Sequence, residues 1–90
     1  MIERRNKLDI INDILLAVYE KNGKIKPTHL LYKSNLSHTK MKGYLTELIE
    51  KQLITEKVEN GNKTYSITSE GIKFIEDYKR VKEFMKSFGL

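Results

Sequence analysis

The chain has 90 residues, 39% of them hydrophobic, and a formal net charge of +5, which predicts one small domain whose basic surface favours an anionic partner, nucleic acid first. The absence of cysteine excludes disulfides, thiol nucleophiles and zinc fingers. The sequence shows neither a signal-peptide apolar segment nor the roughly 20 apolar residues that span a membrane, so we expect a cytoplasmic protein.

The first predicted helix runs from residue 7 to residue 20. Its apolar residues recur at steps of three and four, which is the pattern of a helix with one buried face. These residues are Leu8, Ile11, Ile14, Leu15, Val18 and Tyr19. The Asn22-Gly23 pair that follows tolerates left-handed backbone angles, so we expect the helix to end there.

A second, short helix is predicted from Pro27 to about Lys33, because proline suits a first helical position. Residues 34–37 favour a turn, since serine and asparagine satisfy backbone donors locally. Ser37 is a suitable N-cap for a third helix that continues to Lys51. The apolar positions of that helix are Met41, Tyr44, Leu45, Leu48 and Ile49. Two helices joined by about four residues have the spacing of a helix-turn-helix.

A β-hairpin follows, with strands predicted over residues 53–58 and 63–67. The Asn60-Gly61 pair between them suits a type I′ turn, in which both central residues take a positive φ. The second strand alternates apolar and polar residues clearly, whereas the first alternates poorly, so the register of the first strand is less certain.

The last predicted helix begins after Thr68, which can cap it, and its apolar residues fall in two stripes. We expect Ile72 and Ile75 of one stripe to pack on the first helix and the hairpin. The other stripe has heptad spacing and exceeds what one small domain can cover, so it predicts a dimer interface. The residues of that interface are Phe74, Tyr78, Val81, Met85 and Phe88.

The charge distribution predicts where an anion binds. No Asp or Glu occurs between Glu20 and Glu47, although six lysines do. That window covers the second helix and the first part of the third, and a helix-turn-helix places its second helix in the major groove of DNA. Repulsion by phosphate explains the missing acids. The predicted DNA contacts, with the hairpin tip included, are Lys26, Thr28, His29, Lys33, Ser37, His38, Thr39, Lys40, Lys42, Tyr44, Asn60, Asn62 and Lys63.

Several other residues have two readings. A basic cluster at the start of the chain is either a DNA contact or a solvated tail, and consists of Arg4, Arg5 and Lys7. Tyr32 and Tyr44 are predicted to lie in the core with their hydroxyls at the surface, phosphate contact being the alternative. Gly43 is a costly residue inside a helix, and we expect it to permit close helix packing. Glu56 and Glu59 weaken the positive field of the hairpin.

Three segments carry a resemblance to a known family. They are Lys26-Pro-Thr-His-Leu-Leu-Tyr-Lys-Ser-Asn-Leu-Ser37, Tyr44-Leu-x-x-Leu-Ile-x-x-x-Leu-Ile54 and Tyr65-x-Ile-Thr-x-x-Gly71. Together they resemble the small archaeal winged helix-turn-helix DNA-binding proteins, which pair through a C-terminal helix. The resemblance implies an α+β, mostly helical fold with three helices, a hairpin wing and a dimerisation helix. Residues 1–68 would form the DNA-binding domain, and residues 69–90 the helix that packs on it and on a partner.

The inventory of side chains argues against catalysis and metal binding. His29 and His38 are separated by nine residues with no cysteine or carboxylate between them, so we expect no metal site. No phosphate-binding glycine loop or nucleophile elbow occurs, so we expect no enzyme and no cofactor. The sequence predicts a homodimer that binds double-stranded DNA as a transcriptional regulator or nucleoid-associated protein. The alternative is a winged helix that docks a protein partner through its apolar stripes.

Overall fold

The computed structural model describes residues 5–21 and 24–90. Within them three helices are followed by a two-stranded sheet and a fourth helix, as the sequence predicts. In chain order the elements are α1 Lys7–Lys21, α2 Pro27–Ser34, α3 His38–Glu50, β1 Ile54–Glu59, β2 Asn62–Ile67 and α4 Ser69–Ser87. The predicted end of the first helix at Asn22-Gly23 lies outside the described residues. The α+β, mostly helical class and the winged-helix order of elements are confirmed.

The two predicted N-caps, Ser37 and Thr68, form the hydrogen bonds that start α3 and α4. The Ser37 hydroxyl accepts from the Lys40 backbone N–H at 3.3 Å, which fixes the start of α3. Thr68 does the same for α4, accepting from the Gly71 N–H at 3.1 Å. Asn35 ends α2 in a left-handed conformation with φ of 53°, so the chain turns sharply between α2 and α3.

The hydrophobic core lies where α1, α2 and α3 meet the hairpin. Three side chains of α1, Ile14, Leu15 and Val18, are fully buried at its centre. Ile25 also belongs to the core and forms an antiparallel bridge with Tyr65, whose N–H donates to the Ile25 carbonyl at 3.2 Å. The remaining core residues are Ile11, Ala17, Leu30, Met41, Leu45, Leu48 and Ile54. Four of the six residues predicted on the buried face of the first helix do pack in the core. The prediction is wrong for Leu8 and Tyr19, which lie at the two ends of α1 and are 45% and 51% exposed.

The hairpin, which we call the wing, has the turn that its sequence predicts. Asn60 and Gly61 have φ of 52° and 78°, and the strands pair from Ile54 with Ile67 to Glu59 with Asn62. Only Ile54 of β1 is buried, which explains why this strand lacks an alternating pattern. Since paired residues point to the same side, one face of the wing carries Glu56 and Tyr65 together with Val58 and Lys63.

Gly71 is the one glycine among the described residues at which a side chain would collide with the fold. A Cβ there would lie 2.6 Å from the Ile67 Cγ1 and closer still to the Leu53 carbonyl oxygen. We therefore expect Gly71→Ala to lower the free energy of unfolding by about 1–3 kcal/mol, the usual cost of overpacking. Urea denaturation followed by circular dichroism measures it, with Glu70→Ala at the neighbouring exposed position as the control. Equal stability of the two variants would contradict this packing.

The helix α4 packs on α1 through its first half. Phe74 and Ile75 are half-buried against the core. The prediction that Ile72 packs with them is wrong, because Ile72 is 36% exposed and does not pack against the core. Within the described part of the chain, none of the helices combines the length and the apolar character needed to cross a membrane.

Candidate nucleic-acid interface

The exposed beginning of α3 forms a positively charged surface. Met41, Leu45 and Leu48 hold the helix on the core, while the residues before Met41 and Lys42 directly after it lie in solvent. We call this surface the lysine face; it consists of Ser37, His38, Thr39, Lys40 and Lys42, all of them exposed. No carboxylate of residues 5–21 or 24–90 lies within 4.0 Å of the ammonium group of Lys40 or Lys42. Both cations are available to an anion from solution.

The predicted DNA contacts on α2 lie beside the lysine face. Lys26 precedes the helix, and Thr28 and His29 lie in its first turn, all exposed. Lys33 is exposed as well, but its ammonium lies 3.4 Å from the Glu20 carboxylate of α1. That ion pair is solvated and weak, yet it makes Lys33 the least free cation of this group.

A cleft of about 360 Å³ separates the lysine face from the wing. Its rim carries Lys42 of α3, and Lys63 and Glu56 of the wing, all three exposed. Burial, with the Glu56 carboxylate opposite it in the sheet, raises the pKa of Tyr65 to about 12, so the phenol stays neutral. The rim therefore carries both signs of charge, with one lysine from α3, one from the wing, and the Glu56 carboxylate, which is predicted to weaken the positive field.

The tip of the wing is exposed and polar. Asn60, Asn62 and Lys63 are all exposed, as residues that contact a DNA backbone must be. Nearby, the Lys57 ammonium lies 3.7 Å from the Glu59 carboxylate. Because that exposed pair cancels its own charge, Lys63 is the principal cation of the wing.

The basic residues at the start of the chain are used within the fold. The Arg5 guanidinium donates to the Asp13 carboxylate at 2.7 Å and to the Asn35 carbonyl at 3.2 Å. Lys7 donates to the Glu47 carboxylate of α3 at 2.8 Å, a contact that raises the pKa of Lys7. Arg5, just before α1, thus contacts α1 and the turn after α2, and Lys7 of α1 contacts α3. Arg4 lies outside the described residues.

The structure corrects the predictions for Tyr32 and Gly43 and places Tyr44 at the edge of the core. Tyr32 is 87% exposed, so its assignment to the core is wrong, whereas Tyr44 is half-buried. Tyr32 comes two residues after the buried Leu30, which places it on the opposite side of the helix. This spacing in the sequence could have predicted that Tyr32 is exposed. At Gly43 a Cβ would meet nothing within 4 Å, so the predicted role in close helix packing is wrong.

The predicted dimer stripe of α4 divides into two parts. Phe74 and Tyr78 are half-buried in their own chain. The other three residues are open to solvent: Val81 is 51% exposed, Met85 42% and Phe88 68%. Phe84 lies beside them, its ring centroid 5.1 Å from that of Phe88. An apolar surface therefore remains on the last two turns of α4.

The first turn of α1 joins α4 to the rest of the domain. The Tyr78 hydroxyl donates to the Asp9 carboxylate, and the Lys82 ammonium lies 3.4 Å from the same carboxylate oxygen. The Tyr78 hydrogen bond, with the Asn6 backbone and Lys82 adding to it, lowers the pKa of Asp9. The carboxylate is therefore charged at neutral pH, and α4 is held on α1 at the point where its exposed apolar end begins.

The described residues contain no group of three or more His, Cys, Asp or Glu side chains placed to hold a metal ion. The described face instead combines three features: unpaired lysines at the start of an exposed helix, a concave cleft, and a polar hairpin tip. Phosphate oxygens bind such ammonium groups and hydroxyls.

Comparisons with known proteins agree with this geometry. A family model described as winged helix-turn-helix matches residues 4–86. Sso10a-2, a DNA-binding protein from Sulfolobus solfataricus, is similar at 27% identity with a TM-score of 0.77, over 94% of this chain and 90% of that one. AF1382 from Archaeoglobus fulgidus has 19% identity and a TM-score of 0.72, over 89% and 90% of the two chains.

A longer structure shares the fold as well. MepR, a transcription regulator of the Staphylococcus aureus multidrug efflux pump MepA, has 19% identity and a TM-score of 0.75. The match covers 89% of this chain but spans only 61% of MepR. No curated protein matches the chain.

Proposed function

This chain belongs to the winged helix-turn-helix family, and on that basis we propose that it binds double-stranded DNA. The observation that carries the proposal is the lysine face, where Lys40 and Lys42 are exposed and lack a carboxylate partner among residues 5–21 and 24–90. The similarity to Sso10a-2, whose structure is described as that of a DNA-binding protein, supports the same conclusion.

In the proposed complex, α3 enters the major groove and the wing lies on the adjacent backbone. The residues of the lysine face reach base edges or phosphates from the first turns of α3, as recognition helices do. Lysine binds guanine O6 and N7 or a phosphate oxygen, and hydroxyl groups bind either. At the wing, Lys63 neutralises a phosphate while Asn60 and Asn62 donate hydrogen bonds. Lys26, Thr28 and His29 contact the backbone beside the groove.

We further propose a homodimer formed by the exposed end of α4. Val81, Met85 and Phe88 repeat at steps of four and three and lie in water in the single chain, and a second copy of the same surface would cover them. If the half-sites face one side of the DNA, their centres lie about 34–36 Å apart or a multiple of that distance.

The proposed role is binding without catalysis, in the cytoplasm, as a transcriptional regulator or a nucleoid-associated protein. These two roles differ in how binding is distributed along a genome. A genome-wide binding profile with discrete peaks supports the regulator, and one with broad coverage supports the nucleoid protein.

Salt dependence tests the electrostatic basis of the proposal. If about six phosphates are neutralised, the slope of log K against log salt concentration is about −5, because each contact releases a condensed counterion. Fluorescence anisotropy with labelled duplex DNA at several salt concentrations measures this slope. Lys79→Ala, which removes an exposed lysine from α4, is the control and should leave the slope unchanged.

The competing function, docking of a protein partner through the apolar stripes, predicts a different result. Duplex DNA would then bind weakly or without a steep slope, while a complex with the protein partner would resist salt. That outcome would replace the DNA proposal.

A further inference from the structure

Gly43 occupies the centre of the outward side of α3. It lies two residues from Met41 and two from Leu45, both buried, and two residues rotate about 200° around a helix. Gly43 therefore points away from the core. Its neighbours on that side, Thr39 one turn earlier and Thr46 one turn later, are both exposed.

Nothing within the described chain explains a glycine at this position. A Cβ added to Gly43 would meet no atom within 4 Å, and its φ is not positive. Neither close packing nor a left-handed conformation requires glycine here. Relative to alanine, glycine inside an exposed helix lowers the folding equilibrium constant by roughly fivefold. Gly43 therefore lowers the stability of the helix, and no interaction among the described residues compensates for it.

Gly43 is an exposed position without a side chain between two exposed lysines. Lys40 and Lys42 flank it in the sequence, and their side chains extend from either side of the outward face. The Thr46 hydroxyl donates to the Lys42 carbonyl at 3.0 Å, which turns that side chain back onto the helix. Because Gly43 has no side chain, it leaves the α3 backbone uncovered at a position where Thr39 and Thr46, one turn before and after it, both carry one.

A major groove is about 12 Å wide, and an α-helix with its side chains measures about 10–12 Å across. A helix thus nearly fills the groove, and the side chains that point to the floor decide how deeply it enters. We propose that Gly43 is the point of closest approach between the α3 backbone and the base pairs, where any side chain would hold the helix away from the groove floor. This inference rests on the proposed DNA-binding function.

The test exploits opposite effects on stability and on affinity. Gly43→Ala and Gly43→Leu both introduce good helix formers, so we expect both variants to unfold at higher urea concentration than the wild type. DNA affinity should instead fall, by roughly tenfold for alanine, the size of a lost base contact, and further for leucine. Anisotropy is measured with a random-sequence duplex pool and with duplexes that the wild type enriches from that pool.

The reverse substitution is the matched control. Lys79→Gly places a glycine at an exposed position of α4, outside the proposed DNA interface. It should lower the urea midpoint and leave DNA affinity unchanged. Equal DNA affinity of the wild type and Gly43→Ala would overturn the inference while leaving the proposed function intact. Failure of the wild type to bind any duplex would overturn the proposed function itself, and this inference with it.

Discussion

Replacing Lys40 and Lys42 together by glutamate is expected to abolish DNA binding at physiological salt, with a loss of affinity of roughly 100-fold or more. The two ammonium groups are exposed on α3 and unpaired within the described residues, so reversal removes two phosphate contacts and adds two repulsions. The double alanine variant removes only the contacts. It should bind more weakly, with a salt slope smaller in magnitude by about 2.

Anisotropy with labelled duplex DNA measures these losses, and circular dichroism confirms that the variants fold. The matched control is the double reversal of Lys73 and Lys79 to glutamate, which changes the net charge equally on exposed positions of α4. If DNA affinity depended only on the net charge of the protein, the two double-reversal variants would lose the same affinity. Unchanged binding by the Lys40 and Lys42 variants would reject α3 as the recognition helix.

The second large effect is expected from Val81→Glu combined with Met85→Glu. Both side chains are exposed in the single chain, so the substitutions cost the monomer little. In a dimer they place carboxylates at the centre of an apolar interface, where burial of unpaired charge is strongly unfavourable. The variant should be monomeric at micromolar concentration. On DNA with two half-sites it should lose the gain from linked binding, which is commonly of the order of 10²–10⁴.

Light scattering coupled to gel filtration gives the mass, and anisotropy on duplexes with one or two half-sites gives the affinity. Lys79→Gln with Lys86→Gln is the control, because it alters the net charge by the same amount on the polar side of α4. The control should remain a dimer. A monomeric wild type would contradict the proposed interface before any variant is made.

Local sequence signals account for the elements of this fold. Ser37 and Thr68 cap α3 and α4 because their hydroxyls reach backbone donors three residues away, and Asn60-Gly61 makes the type I′ turn because both residues accept a positive φ. Each of these interactions spans only a few residues. A pattern in the sequence is therefore enough to predict it.

The contacts that shape the candidate site are not local, and the sequence did not predict them. Lys7 meets Glu47 across 40 positions, and Tyr78 meets Asp9 across 69. Periodicity shows which side of a helix is apolar but not which charged partner another element brings to it. For the same reason the sequence could not assign Arg5. Tyr32 and Gly43 are different, because their phase relative to the buried residues places both on outward faces, and general expectations about aromatic residues and glycine misled there.

The first turn of α1 links the two surfaces that the proposed complex uses. Lys7 bonds to α3 and Asp9 to α4, and these residues lie two positions apart on one turn of helix. The direction in which α4 leaves the domain is thereby tied to the orientation of α3. In a dimer, these two contacts, together with the packing of Phe74 and Ile75 on the core, would set the spacing and relative tilt of two half-sites. A change of residue in this turn would then alter which operators are recognised while every DNA-contacting and partner-contacting side chain stays the same.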